Sequence, residues 1–266
     1  MCTNLKDPHN YHQILDMALR SNFNNRLYQS DDPKQLICQI CQNFYDLGWV
    51  TGSGGGMSIK RGEKVFVAPS GVQKEDLIIA DVFTLSASDK NIVLEAPQTP
   101  NLKQSACTPL WYEVFKYRPE VNSVIHTHSM NAQLVTLMNG DDCKEFVITH
   151  FEMLKGVGGH GYEDVLVVPI IDNRPTEDLL AEQLGEAVKN YPKANAVLVR
   201  RHGLYVWGNT WQEAKIHAES YDYLFETALR LRQLGIDHTA KPTSSSYNPT
   251  PKAENEDTPK EKKAKV

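Results

Sequence analysis

Residues 121–130 read VNSVIHTHSM. The short strand-like run from Val121 to Ile125, with β-branched apolar Val121, Val124 and Ile125, leads into His126; His128 follows after one threonine. Such a run, bounded by polar residues, reads as a buried strand. Side chains at i and i+2 of a strand project to the same face. A strand continued through this stretch therefore sets two imidazoles side by side. One reading is a pair of half-buried strand-end histidines bonded to carbonyls. The other is two ligands of a metal site.

A third imidazole has the same setting. In AVLVRRHGLYVWG, residues 196–208, His202 also ends an apolar strand and precedes a glycine. A catalytic zinc site takes three protein ligands and leaves one position for water or substrate. Two close histidines and one remote one fit that pattern, although neutral imidazole also suits other metals. The other histidines are weaker candidates. His9, His12 and His238 fall in or near expected extensions, and His217 on a helix surface. His160 lies in a glycine-rich loop, and His150 two residues before Glu152, where it reads as a neighbour of the site.

Around these segments, helices and strands alternate. Helices are expected over 32–47, 108–117, 131–138, 176–190 (capped by Thr176) and 210–234. Strands are expected over 57–60 and 64–68 as a hairpin, then 82–85, 92–94, 123–127, 164–169, 196–200 and 203–207. Short turns between some strands and helices between others predict a mixed sheet covered by helices on both faces. Residues 1–30 read as an extension and 31–240 as one domain. The Pro-, Ser-, Lys- and Glu-rich segment 241–266 cannot bury enough surface to order and is expected to be disordered.

Bulk properties narrow the function. The chain has 266 residues, 41% of them hydrophobic, and a net charge of −5, with no basic excess of the kind that marks nucleic-acid binding. No apolar run reaches 18 residues, so no membrane span is expected. The N-terminus lacks an apolar signal core, and five cysteines do not pair into a framework, so a cytoplasmic location is expected. Cys38 and Cys41 form C-x-x-C, but on the apolar stripe of a helix and with no second pair to complete a site.

Three further segments hold candidate anion or substrate contacts. In TGSGGGMSIK, residues 51–60, Gly54, Gly55 and Gly56 allow a backbone to wrap an anion. Helix then strand is the wrong order for a Walker or dinucleotide loop. In VAPSGVQKEDL, residues 67–77, Ser70, Gly71 and Lys74 place a hydroxyl, a turn and a cation together. In KQSACTPLW, residues 103–111, Ser105 and Cys107 sit where a helix begins.

Taken in order, GSGGGMS, APSG, SACTP, HTHS, THFEMLKG and RRHGLYVWG resemble the methylthioribulose-1-phosphate dehydratase family of the class II aldolase/adducin superfamily, from about residue 31 to 235. The resemblance implies a three-layer α-β-α fold with a central mixed, largely antiparallel sheet. It implies a homotetramer with sites between subunits and one Zn2+ per subunit on His126, His128 and His202. It makes Glu152 the general acid/base and Cys107 a substrate contact, with Ser105, Gly55, Gly56, Ser70 and Gly71 around the sugar-phosphate substrate. The implied reaction, in methionine salvage, dehydrates 5-methylthioribulose 1-phosphate to 2,3-diketo-5-methylthiopentyl 1-phosphate. The chain departs from the wider pattern in reading Gly-Gly-Met-Ser at 55–58, where Gly-Asn-x-Ser is common, and in carrying Ala106 before the cysteine. A class II sugar-phosphate aldolase or epimerase, and a non-catalytic adducin-like module, are the rival readings.

Overall fold

The computed structural model describes residues 30–243. The expected extension up to residue 29 and the tail from 244 onward lie outside them. Helix α1 (Pro33–Asp46) starts where Asp32 accepts the Lys34 N–H at 3.0 Å with Pro33 in the first turn, and Gly48 ends it in a left-handed conformation, φ +75°. Its core stripe buries Leu36, Ile37, Ile40, Cys41 and Phe44. Burial pushes the Cys38 thiol up to about 11 and that of Cys41 up to about 12. Both are therefore inert packing groups at neutral pH.

In chain order there follow β1 (Gly56–Arg61), β2 (Lys64–Val67), β3 (Pro69–Ser70), β4 (Phe83–Ser86), β5 (Val93–Glu95) and β6 (Lys103–Gln104). Then come α2 (Thr108–Tyr117), β7 (Ser123–Thr127), α3 (Met130–Val135), β8 (Glu145–Thr149) and β9 (Val165–Ile171). Helix α4 (Ala181–Asn190), β10 (Ala196–Val199), β11 (Gly203–Gly208) and α5 (Trp211–Gln233) complete the chain. Nine strands form one sheet in the order β5-β4-β2-β1-β7-β11-β10-β9-β8. The pairings are antiparallel except β9–β10. The central strands are apolar on both faces. Ile125, Leu198 and Val206 pack with α1, α3 and α5; Val124, Val199 and Trp207 pack with α2 and α4. This is the three-layer mixed sheet expected from the sequence.

Local expectations fail at several points. The helix expected over 131–138 ends at Val135: beyond it the N–H groups of Thr136, Leu137 and Met138 bond to carbonyls three residues back, and the Thr136 hydroxyl also donates to the Gln133 carbonyl. Thr176 makes no side-chain cap. The chain there forms a 3₁₀ turn, Glu177–Leu180, before α4 begins. His217 is buried, not superficial: its Nδ1–H donates to the Trp207 carbonyl at 2.7 Å and its Nε2 accepts the Gly158 N–H at 3.1 Å. His238 is buried too, stacked on Phe146.

Candidate metal centre and substrate cleft

Strand direction decides which residues can meet. β7 and β10 are both antiparallel to β11, and β9 is parallel to β10. The C-terminal ends of β7, β9 and β10 therefore share one edge of the sheet with the N-terminal ends of β1 and β11. His126 ends β7 opposite Gly56 and Tyr205, and His202 lies in the β10–β11 turn. His128 Nε2 sits 3.0 Å from His126 Nε2 and 3.0 Å from His202 Nε2. The outer nitrogens of two of these rings are committed elsewhere. His126 Nδ1–H donates to the Leu204 carbonyl at 3.0 Å, and His202 Nδ1–H to Asn173 Oδ1 at 3.1 Å. Such bonds fix tautomer and ring orientation in metal sites.

The electrostatics match. Burial, then the adjacent imidazoles, hold His126 well below the usual range. Burial and His202 bring His128 down to about 4, and burial lowers His202. Three neutral rings thus turn lone pairs toward one point, an arrangement that repels itself unless a cation lies between them. The group fits a divalent ion with nitrogen ligands and an open position.

The glycine loop has a physical reason to be here. A Cβ on Gly54 would overlap the His128 ring, coming 2.6 Å from Cε1, and one on Gly55 would meet the His126 carbonyl at 2.7 Å. Gly55 also needs φ +68°. Beside the loop, Lys74 is buried. Its ammonium donates to the carbonyls of Ser53 and Val72, both at 3.1 Å, and burial lowers its pKa. No carboxylate pairs with it among the described residues. An ammonium has three protons, so one donor remains for an anion. A two-stranded ribbon, β3 with β6, pairs Pro69 with Gln104 and Ser70 with Lys103, which joins the Ser70 segment to the strand leading into Ser105. Ser105 Oγ accepts the Cys107 N–H at 3.2 Å, and its carbonyl accepts Thr108 Oγ1–H at 2.7 Å.

Cys107 is buried at the start of α2. Its Sγ, a His126 ring nitrogen and a Glu177 carboxylate oxygen lie within 4.8 Å of one another. Burial and then Glu177 raise the thiol well above its usual range, so it is a neutral S–H. A cleft of about 630 Å³ opens between Ser105, Ala106 and Thr108 on one wall and Pro175 and Glu177 on the other, a size suited to a small ligand.

Glu152 is not in this group. β8 runs antiparallel to β9 with Thr149 opposite Val165, so the chain leaves β8 at the far edge of the sheet. A five-residue strand spans about 15 Å. There Glu152 is exposed and pairs with Lys155 at 2.7 Å. His150 shares that edge and holds a left-handed φ of +59°. Sequence reasoning missed Asn173, Glu177 and Tyr205. Asn173 lies in a polar loop with no periodic signal, Glu177 reads as an ordinary first-turn acid of the expected helix over 176–190, and Tyr205 reads as one more core residue of a strand.

Fold and site together define an α/β enzyme architecture with three imidazoles that could hold a metal ion, and comparison with known proteins places it in a family. Residues 35–229 match the family described as the class II aldolase and adducin N-terminal domain, and the chain belongs to that family. A probable methylthioribulose-1-phosphate dehydratase of Dictyostelium discoideum is 48% identical over 223 residues, 81% of this chain and 94% of that protein. The methylthioribulose-1-phosphate dehydratase of Homo sapiens is 45% identical over 222 residues, covering 81% and 90%. Among solved structures, an L-fuculose 1-phosphate aldolase superposes with TM-score 0.64 at 16% identity over 82% of this chain and 94% of that one. A Klebsiella pneumoniae YgbL, described as a putative aldolase/epimerase/decarboxylase, gives 0.62 at 19% identity over 75% and 89%. No helix among the described residues is long and apolar enough to cross a membrane.

Proposed function

We propose that this protein is a zinc-dependent hydro-lyase of methionine salvage, acting in the cytoplasm as a homotetramer. It converts 5-methylthioribulose 1-phosphate to 2,3-diketo-5-methylthiopentyl 1-phosphate. The convergence of three neutral imidazoles at 3.0 Å spacing, beside a neutral thiol and a buried lysine, supports this reading. So does the name borne by relatives at 45–48% identity.

The reaction removes a proton from the carbon beside the ketone and hydroxide from the next carbon, and the enol so formed relaxes to the diketone. His126, His128 and His202 would hold the zinc ion, which when bound would supply Lewis-acid chemistry at the ketone end. Lys74, Gly55, Gly56, Ser70, Gly71 and Ser105 surround the phosphate end. The remaining Lys74 proton and the hydroxyls of Ser70 and Ser105 are donors suited to a phosphate. Cys107 turns its sulfur toward the substrate and accepts from one of its hydroxyl groups. Glu152 takes the carbon-bound proton and returns a proton to the departing hydroxide, a role worth about 10²- to 10⁴-fold. That Glu152 stands at the opposite edge of its own sheet supports a reading in which it serves the site of a neighbouring copy in the assembly.

The test is direct. The purified protein, given 5-methylthioribulose 1-phosphate, forms the diketone. A chelator abolishes turnover and added Zn2+ restores it. Glu152→Gln keeps its zinc but loses at least 100-fold in kcat. Full activity in chelator, or retro-aldol fragments in place of diketone, sinks this reading, the second in favour of an aldolase.

A further inference from the structure

Glu177 has partners that its place at the start of a 3₁₀ turn does not explain. The turn is anchored by Leu180, fully buried against the α2 and α4 layer. From there the Glu177 carboxylate reaches inward. It accepts the Tyr205 O–H at 3.3 Å and faces the Cys107 thiol, with the carboxylate, Sγ and a His126 ring nitrogen all within 4.8 Å of one another. Tyr205 is fully buried and stacks flat on His126, with centroids 4.0 Å apart and planes 8° from parallel. Glu177 also lines the cleft. One carboxylate thus ties together the thiol facing the substrate and the ring backing a metal ligand. A carboxylate has lone pairs for two donors at once, whereas an amide offers one acceptor oxygen and presents an N–H₂ to the other donor.

We propose that Glu177 is a positioning residue of the active site, whose carboxylate sets the Cys107 thiol toward the substrate and holds Tyr205 flat behind His126. The role of Cys107 in it rests on the function proposed above; the hydrogen-bond network does not. A packing role would require only the size of the side chain, which glutamine retains. A positioning role requires both acceptor oxygens.

The experiment uses zinc-loaded full-length protein, wild type, Glu177→Gln, Tyr205→Phe and the double variant. Each is first checked for zinc content and thermal midpoint near wild type. Glu177→Gln raises KM about 10- to 100-fold, the scale of a lost hydrogen bond to a charged group, with kcat changed far less. Tyr205→Phe in the same chain recovers at least threefold of that loss, because the amide oxygen then serves Cys107 and its N–H₂ no longer opposes a hydroxyl. A second readout needs no substrate. Alkylation at Cys107, followed by mass spectrometry of its peptide, speeds at least threefold in Glu177→Gln and returns toward the wild-type rate in the double variant. Wild-type KM and an unchanged alkylation rate in Glu177→Gln overturn the proposal, as does a double variant whose losses simply multiply. If the wild type forms no diketone, the proposed reaction fails, and the alkylation series still decides the role of Glu177.

Discussion

At the scale of single residues, the site depends as much on what is missing as on what is present. Gly54 has no side chain because the His128 ring fills the space a Cβ would take. The loop passes close to a ligand rather than wrapping an anion at every glycine. Gly54→Ala is therefore expected to displace His128 and weaken zinc retention about 10- to 100-fold, the usual effect of disturbing a ligand's support, while the thermal midpoint of the metal-free protein stays near wild type. Metal analysis after dialysis against a graded chelator series reads this, and wild-type retention overturns it. Lys74 illustrates how residues acquire meaning only in place. In sequence it is one more lysine beside Ser70 and Gly71; in the fold it is a buried cation with two carbonyl partners and a proton to spare.

At the scale of elements, the turn bearing His202 is held by its neighbour Arg200. Arg200 is buried; its Nε donates to Asp172 at 3.0 Å and its terminal nitrogens donate to the carbonyls of Thr136 and Cys143 at 2.7 and 2.6 Å. These bonds join the ends of β9 and β10 to the segment after α3. Arg200→Ala leaves two carbonyls without their donor and is expected to cost about 2–4 kcal/mol, read as a lower urea midpoint at unchanged m-value; an unchanged midpoint contradicts it. Strand and helix periodicity was legible for β7, β10, β11, α1 and α5, whose apolar faces meet the sheet or its covering layers. It was misleading at Thr176 and His217, because a cap competes with a buried turn, and because a histidine on a helix gives no sign of which carbonyl will satisfy it.

At the scale of the whole molecule, the strand order puts the three histidines and Glu152 at opposite edges of one sheet. A homotetramer with shared sites therefore makes a prediction that a self-contained subunit does not. Glu152→Gln and His202→Ala chains, each inactive alone, are expected to regain a measurable share of wild-type turnover, on the order of a quarter, when denatured together and refolded as mixed assemblies. If mixed assemblies form and remain inactive, Glu152 does not act between copies.

The sequence by itself determined which three imidazoles gather as a candidate metal site, and the order of the motifs. Strand parity puts His126 and His128 on one side whatever surrounds them, and an apolar run ending in Arg-His-Gly marks where His202 must turn. Only the tertiary structure decided that Asn173, Tyr205 and Glu177 hold those ligands and the Cys107 thiol, and that Glu152 faces away from its own site. Those are contacts between segments 28 to 74 residues apart. Such contacts depend on strand order and direction, which hydrophobic period does not encode.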